Sequence, residues 1–202
     1  MYRPRAFAVD DITLLHEVIR SRVFATVAAM VDGRVEFAYA PVVLDPHEGP
    51  LGAVRFHLAA ANPISDVQEG APLAISFMSD DAYVSPDWYA TPGMVPTWNY
   101  ITVEGRGAMR HVKGEGLRQL LADLTAAEEV KLAPKKPWTI DKVPAAKMET
   151  LLNAIVGFSL PFDSLEGKYK LSQNVKPEDH AGVVRGLEAR GMTLARAMKK
   201  DT

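Results

Sequence analysis

The chain has 202 residues, 48% of them hydrophobic and 24% charged, a composition that supports an ordinary packed core and argues against disorder or a fibrous repeat. It contains no cysteine, which removes disulfides, thiolate nucleophiles, iron-sulfur clusters and cysteine-ligated zinc together. The net charge of -2 and a pI near 6.2 work against duplex-DNA binding, whose affinity comes largely from neutralised phosphates. No stretch reads as a linker, so a single domain over residues 1–202 with a C-terminal helical extension is expected. Met1-Tyr2-Arg3-Pro4-Arg5 lacks the apolar run of a secretory signal and no segment reaches membrane-spanning length, so cytoplasmic localisation without a membrane partner is expected.

In chain order, Asp10 is placed to cap a helix running to about Arg20, with Ile12, Leu15 and Ile19 at helical spacing. Residues 23–31 and 34–44 are two β-prone runs around Asp32-Gly33, a pair that tolerates the positive φ angles of a two-residue hairpin turn. A strand over 53–59 puts Val54, Phe56 and Leu58 on one face and Arg55 with His57 on the other. Asn62-Pro63 then opens a short helix ending near Gly70, and Leu73, Ile75 and Phe77 alternate through a fourth strand. A turn-rich stretch with Tyr83, Trp88 and Tyr89 follows.

Residues 97–112 read as one long strand or a bent pair, with Gly105 and Gly107 as the bend positions. Leu117, Leu120, Leu121 and Leu124 mark a helix, residues 131–137 a basic loop, and Pro144 begins a helix carrying Met148, Leu151, Leu152 and Ile155. A late strand holds Tyr169 and Leu171, and Pro177 opens a final helix broken at Gly191. This order fits an antiparallel α+β fold, with a sheet curling toward a barrel and helices flanking it, and lacks the alternation of a doubly wound sheet.

No GxGxxG loop, Walker A loop, HExxH pattern or serine-nucleophile signature occurs. His16, His47, His57, His111 and His180 stand singly, so no metal site is expected. Three segments carry the chemical interest. Residues 55–63 deliver Arg55 and His57 from a strand and then the Asn62 cap, a place where free amides suit an anion, although a solvated histidine and a plain cap are the commoner explanation of such a pattern. Residues 95–100 combine Thr97, Trp98 and Asn99, a mixture found where a flat ring is stacked or where subunits meet, though such aromatics are more often core. Residues 165–174 put Lys168, Lys170 and Ser172 on one side of an extended chain just before Gln173, where they would suit a phosphate or simply form a solvated face.

The same segments, "RFHLAAANP", "AYVSPDWY" leading into "VPTWNY", and "LEGKYKLSQN", resemble the signature stretches of the PaiB-type FMN-binding negative transcriptional regulators. The resemblance begins at Met1-Tyr2-Arg3-Pro4 and includes Pro137-Trp138 and Ala154-Ile155-Val156-Gly157-Phe158. It implies an antiparallel split β-barrel of the flavin-reductase and pyridoxamine-phosphate-oxidase kind, a homodimer, and FMN bound between subunits by His57, Asn62, Thr97, Trp98, Asn99, Lys168, Lys170, Ser172 and Gln173. The chain departs from the family pattern at Tyr39, Ala60 and Glu104, where His, Arg and His are usual. The resemblance also implies a regulatory role with DNA contacted weakly or indirectly, since only Arg196, Lys199 and Lys200 suggest a basic tail. The alternatives are a flavin-dependent oxidoreductase acting on a small molecule and a cofactor-free interaction protein.

Overall fold

The computed structural model describes residues 1–200, with Lys200 described by its backbone alone. The elements in order are β1 (Ala8–Val9), α1 (Ile12–Ser21), β2 (Phe24–Val31), β3 (Arg34–Pro41), β4 (Val43–Asp45), β5 (Ala53–Ala59), β6 (Pro72–Val84), β7 (Thr97–Ala108), β8 (Arg110–Val112), α2 (Gly114–Glu129), α3 (Ala145–Asn153), β9 (Ile155–Pro161), β10 (Ser164–Lys170), α4 (Pro177–Ala189) and α5 (Leu194–Lys200). The strands make two antiparallel sheets, ordered β1-β10-β7-β6-β2-β3 and β4-β5-β9-β8. This is the expected α+β class. The chain divides into two compact units, each assembled from separated stretches: the first from Met1–Val18, Met78–Val103 and the chain after Leu165, the second from Ile19–Phe77 and Glu104–Leu165.

In the second unit, Asp32 (φ 48°) and Gly33 (φ 76°) both take left-handed backbone, the turn that the Asp-Gly pair favours. The β2–β3 register follows from it, with Val31 opposite Arg34 and Phe24 opposite Pro41. The strand expected to reach Leu44 stops at Pro41, where proline has no N–H to give the ladder, and the chain resumes as β4 beside β5 in the other sheet. The inward rows of β2 and β5 are buried, and the Phe56 and Phe158 rings stack with centroids 5.2 Å apart. Burying each phenyl ring contributes about 2–3 kcal/mol.

The run expected over 97–112 does divide into β7 and β8, but at Met109; Gly105 and Gly107, the expected bend positions, lie within β7. A Cβ on Gly107 would lie 2.0 Å from the Pro161 carbonyl oxygen and one on Gly105 would lie 2.3 Å from the Phe162 ring, so both positions admit close approach of the chain after β9. β9 itself corrects the reading that carried the preceding helix through Ile155. The α3 helix ends at Asn153, and after Ala154 the seven residues Ile155–Pro161 form a central strand paired with both β5 and β8. An apolar run that follows a helix with no turn residue between them gives periodicity nothing to separate. β6 is likewise longer than expected, running through Ser79-Asp80-Asp81, with its buried positions changing phase between Phe77 and Ala82.

In the first unit the cap of α1 is Asp11, whose Oδ1 accepts from the Thr13 N–H at 2.8 Å. Asp10, the expected cap, pairs with Arg3. Leu15 on α1 packs on Gly167 of β10, where a Cβ would meet its Cδ2 at 2.4 Å. Gly182 and Gly186 of α4 receive Trp88 in the same way, its carbonyl against one and its indole against the other. The buried Asp179 in the first turn of α4 accepts from the Thr91 N–H at 2.8 Å and its hydroxyl at 2.7 Å, which holds the carboxyl below its usual range. The final helix breaks at Gly191 (φ 68°) as expected, and α5 docks through Leu194, Ala195 and Met198.

Candidate functional site

The first unit brings together seven of the nine residues singled out in the sequence. β7 supplies Thr97, Trp98 and Asn99 from its first three positions, and the neighbouring β10 supplies Lys168 and Lys170, followed at once by Ser172 and Gln173. Alternation places both lysines on one face of β10. The Lys170 ammonium donates to the Thr97 hydroxyl and, at 2.6 Å, to the Trp98 carbonyl. Burial holds its pKa below the usual lysine range, and the charge of Lys168 lowers it further. Lys168 lies between two rings, 5.5 Å from the Tyr2 centroid and 5.2 Å from that of Tyr100, a cation-π arrangement that leaves its three N–H bonds free to donate.

Asn99 and Ser172 are buried against each other. The Asn99 Nδ2 donates to the Ser172 Oγ at 2.8 Å and contacts the Met198 sulfur at 3.7 Å, while its Oδ1 has no partner. Ser172 holds a left-handed backbone (φ 61°), is 4% exposed, and also hydrogen-bonds the Tyr89 side chain. Gln173 closes the end of β10, accepting from the Leu171 N–H at 2.8 Å and donating to the Tyr169 carbonyl at 2.6 Å. Trp98 is different: 54% exposed, its ring meets Tyr83 edge to face at 6.0 Å, with Val95 and Met78 also exposed in the same unit. Tyr2, Tyr83 and Tyr89 touch these residues without having been named as candidates, and Tyr100 is the second aromatic of the 95–100 segment. Tyr100 lies on β7, which neighbours the lysine strand β10, and Tyr83 on β6, one strand further along the same sheet.

His57 and Asn62 belong to the second unit and do not share one set of contacts. The Asn62 Oδ1 accepts from the Ile64 N–H at 2.9 Å, capping a single 3-10 turn, Pro63–Asp66, shorter than the helix expected to near Gly70. His57 projects from the β5 face opposite Phe56. Burial lowers its pKa, favouring neutral imidazole, and its Nδ1 is buried without a partner. Arg55 on the same face donates to Asp123 of α2 at 2.9 Å. Among the described residues no three His, Asp or Glu side chains gather as a metal site, and no helix is long and apolar enough to cross a membrane.

The comparisons give this geometry a context. "Protease synthase and sporulation protein PAI 2" of Bacillus subtilis is 26% identical over 93% of this chain and 89% of its own. The "FAD and Heme binding protein" of Mycobacterium smegmatis superposes with a TM-score of 0.60 at 19% identity, over 86% of this chain and 78% of that one. The "Flavocytochrome Anf3" of Azotobacter vinelandii does so at 0.58, with 19% identity, over 87% and 75%. The structural likenesses establish the fold, two antiparallel sheets with flanking helices of the FMN-binding split-barrel type. A family model described as "Putative FMN-binding domain" matches residues 1–164, and this chain belongs to that family.

Proposed function

We propose that this chain binds FMN as a homodimer and works as a flavin-dependent oxidoreductase on a small molecule. The observation that carries the reading is the pair of ammonium groups on β10 beside an exposed Trp98. A phosphate dianion offsets both the burial and the Lys168 repulsion that lower the Lys170 pKa, and it finds three free N–H donors on Lys168 and one remaining on Lys170. A conjugated ring finds an exposed indole backed by Tyr83. Asn99, Ser172 and Gln173 then act as positioning residues that hold the end of β10 in shape. His57, whose Nδ1 is buried without a partner, and Asn62 lie in the second unit, apart from the seven residues gathered in the first. A bound flavin supplies the redox chemistry, and the chain's residues bind it, orient it and keep water from it.

The homodimer is supported by the outer face of β2–β3. Cross-strand neighbours Met30 and Val35, with Phe24, Phe37 and Tyr39, stand outward, and Phe37 and Tyr39 remain 60% and 65% exposed. A continuous apolar face of this kind suits a second copy of the same chain.

The likeness to the Bacillus subtilis protein favours a second reading, a regulatory role of the PaiB type. Direct DNA contact has little behind it: Lys199 is paired with Glu188, and the Lys200 side chain lies outside the described residues.

Absorption and flavin-fluorescence titrations with FMN and FAD test the first reading. Stoichiometric FMN binding, weakened about ten-fold or more in the Lys168→Ala, Lys170→Ala double variant, is expected. No binding of either flavin at micromolar concentration overturns it. Reduction of the bound flavin by a nicotinamide cofactor under anaerobic conditions separates an oxidoreductase from a regulator.

A further inference from the structure

Beyond the flavin reading, we infer that the first unit carries a second small-molecule site, a cleft between α4, α5 and the segment after β10 that takes an organic anion with an apolar body. The cleft encloses about 560 Å³, within the range of ordinary ligand pockets. One wall is a face of α4, where His180, Ala181, Val184, Arg185 and Glu188 recur at helical spacing. Val175 adds apolar surface from the segment after β10.

The charge of the lining is unbalanced. Among the described residues Glu188 is its one carboxylate, and it is neutralised by Lys199 of α5. Arg185 also lines the cleft and makes no ion pair among the described residues. An unpaired guanidinium above an apolar floor is the arrangement that recognises a carboxylate or phosphate, because its fork donates two parallel hydrogen bonds to two anionic oxygens. His180 stands one helical turn before Val184 and adds a donor at the same rim.

The cleft is held open rather than left between loose ends. Leu194, Ala195 and Met198 anchor α5 with at most 2% exposure, and the Thr193 hydroxyl donates to Asp80 at 2.7 Å. On the opposite side Ser172 is locked by Asn99 and Tyr89, which sets the direction of the chain entering α4. The two walls cannot close on each other without breaking these contacts, so an apolar ligand replaces water against Val175, Ala181 and Val184.

Titration calorimetry of the full chain with 2-naphthoate, and with 2-naphthalenemethanol as its neutral counterpart, tests the site. Saturable 2-naphthoate binding is expected, with the alcohol binding about ten-fold or more weakly. Arg185→Gln should reduce naphthoate affinity to that of the alcohol, and Ala181→Trp, which fills the cleft and keeps its charge, should abolish both. Thermal melts confirm that each variant folds. Equal affinity for acid and alcohol, or unchanged binding in both variants, overturns the inference. Added FMN should leave naphthoate binding intact, and displacement by FMN would overturn the claim of a second site while leaving the flavin reading standing.

Discussion

Two strand pairs of the second unit, β2–β3 and β5–β9, share antiparallel pairing and a buried inner row, yet treat their other face in opposite ways. The second face of β2–β3 is apolar and open, carrying Met30, Val35, Phe37 and Tyr39. The second face of β5–β9 is polar and covered. Arg55 reaches Asp123 of α2, Leu117 of the same helix fills the space above Gly157, and Ser159 lies opposite Arg55 with its hydroxyl buried and unpaired. A covered polar group either finds a partner within the chain, as Arg55 does, or bears a desolvation cost, as Ser159 does, whereas an apolar face left open gains most from a partner outside it.

The largest expected effect comes from breaking the open face. Phe37→Glu with Tyr39→Glu should convert the proposed dimer into a monomer at micromolar concentration in sedimentation velocity, with an unchanged circular-dichroism spectrum. A wild-type chain that sediments as a monomer removes the proposed role of that face. On the covered face, Gly157→Ala should cost about 1–3 kcal/mol in urea unfolding, because a Cβ there lies 2.7 Å from the Val112 carbonyl oxygen and 2.8 Å from Leu117. Ala28→Val on the open face, measured in the monomeric variant, should change stability by no more than about 0.5 kcal/mol. Equal costs at the two positions would erase the contrast.

Removing the partner beneath α2 has a smaller effect. Asp123→Ala leaves the Arg55 guanidinium half-buried without its carboxylate, and a loss of about 1–2 kcal/mol is expected. The smallest effect is the titration of His57. Burial lowers its pKa in the folded state, so below the ordinary histidine value the unfolded chain binds more protons than the folded one, and stability falls as pH drops through about 6.5 and lower. Above that range both states are neutral and the contribution disappears. His57→Gln should therefore reduce the loss of urea midpoint between pH 7.5 and 5.5, and a loss equal to wild type would assign the pH dependence to other groups.

Short-range chemistry was readable wherever one or two residues decide the backbone. Asp32-Gly33 specifies its hairpin and Gly191 the end of α4, since each position takes a left-handed backbone. Where neighbouring elements share one apolar pattern, as between α3 and β9, local signals could not mark the boundary. The cap of α1 shows the same limit at one residue, because Asp10 and Asp11 are equally able to cap and only the Arg3 guanidinium separates them.

The candidate site divides along the same line. Thr97, Trp98, Lys168 and Lys170 stood out by residue type and strand alternation, which are properties of the chain itself. That Trp98 stays exposed while Asn99 beside it is fully buried, that Lys168 sits between Tyr2 and Tyr100, and that Arg185 faces an open cleft were decided only by the tertiary structure. Residue type and spacing determine what a side chain can bond and which face of its own strand it occupies. Which distant segment arrives opposite that face depends on packing among parts of the chain separated by dozens of residues, and that packing alone decides which donors are spent and which remain for a ligand.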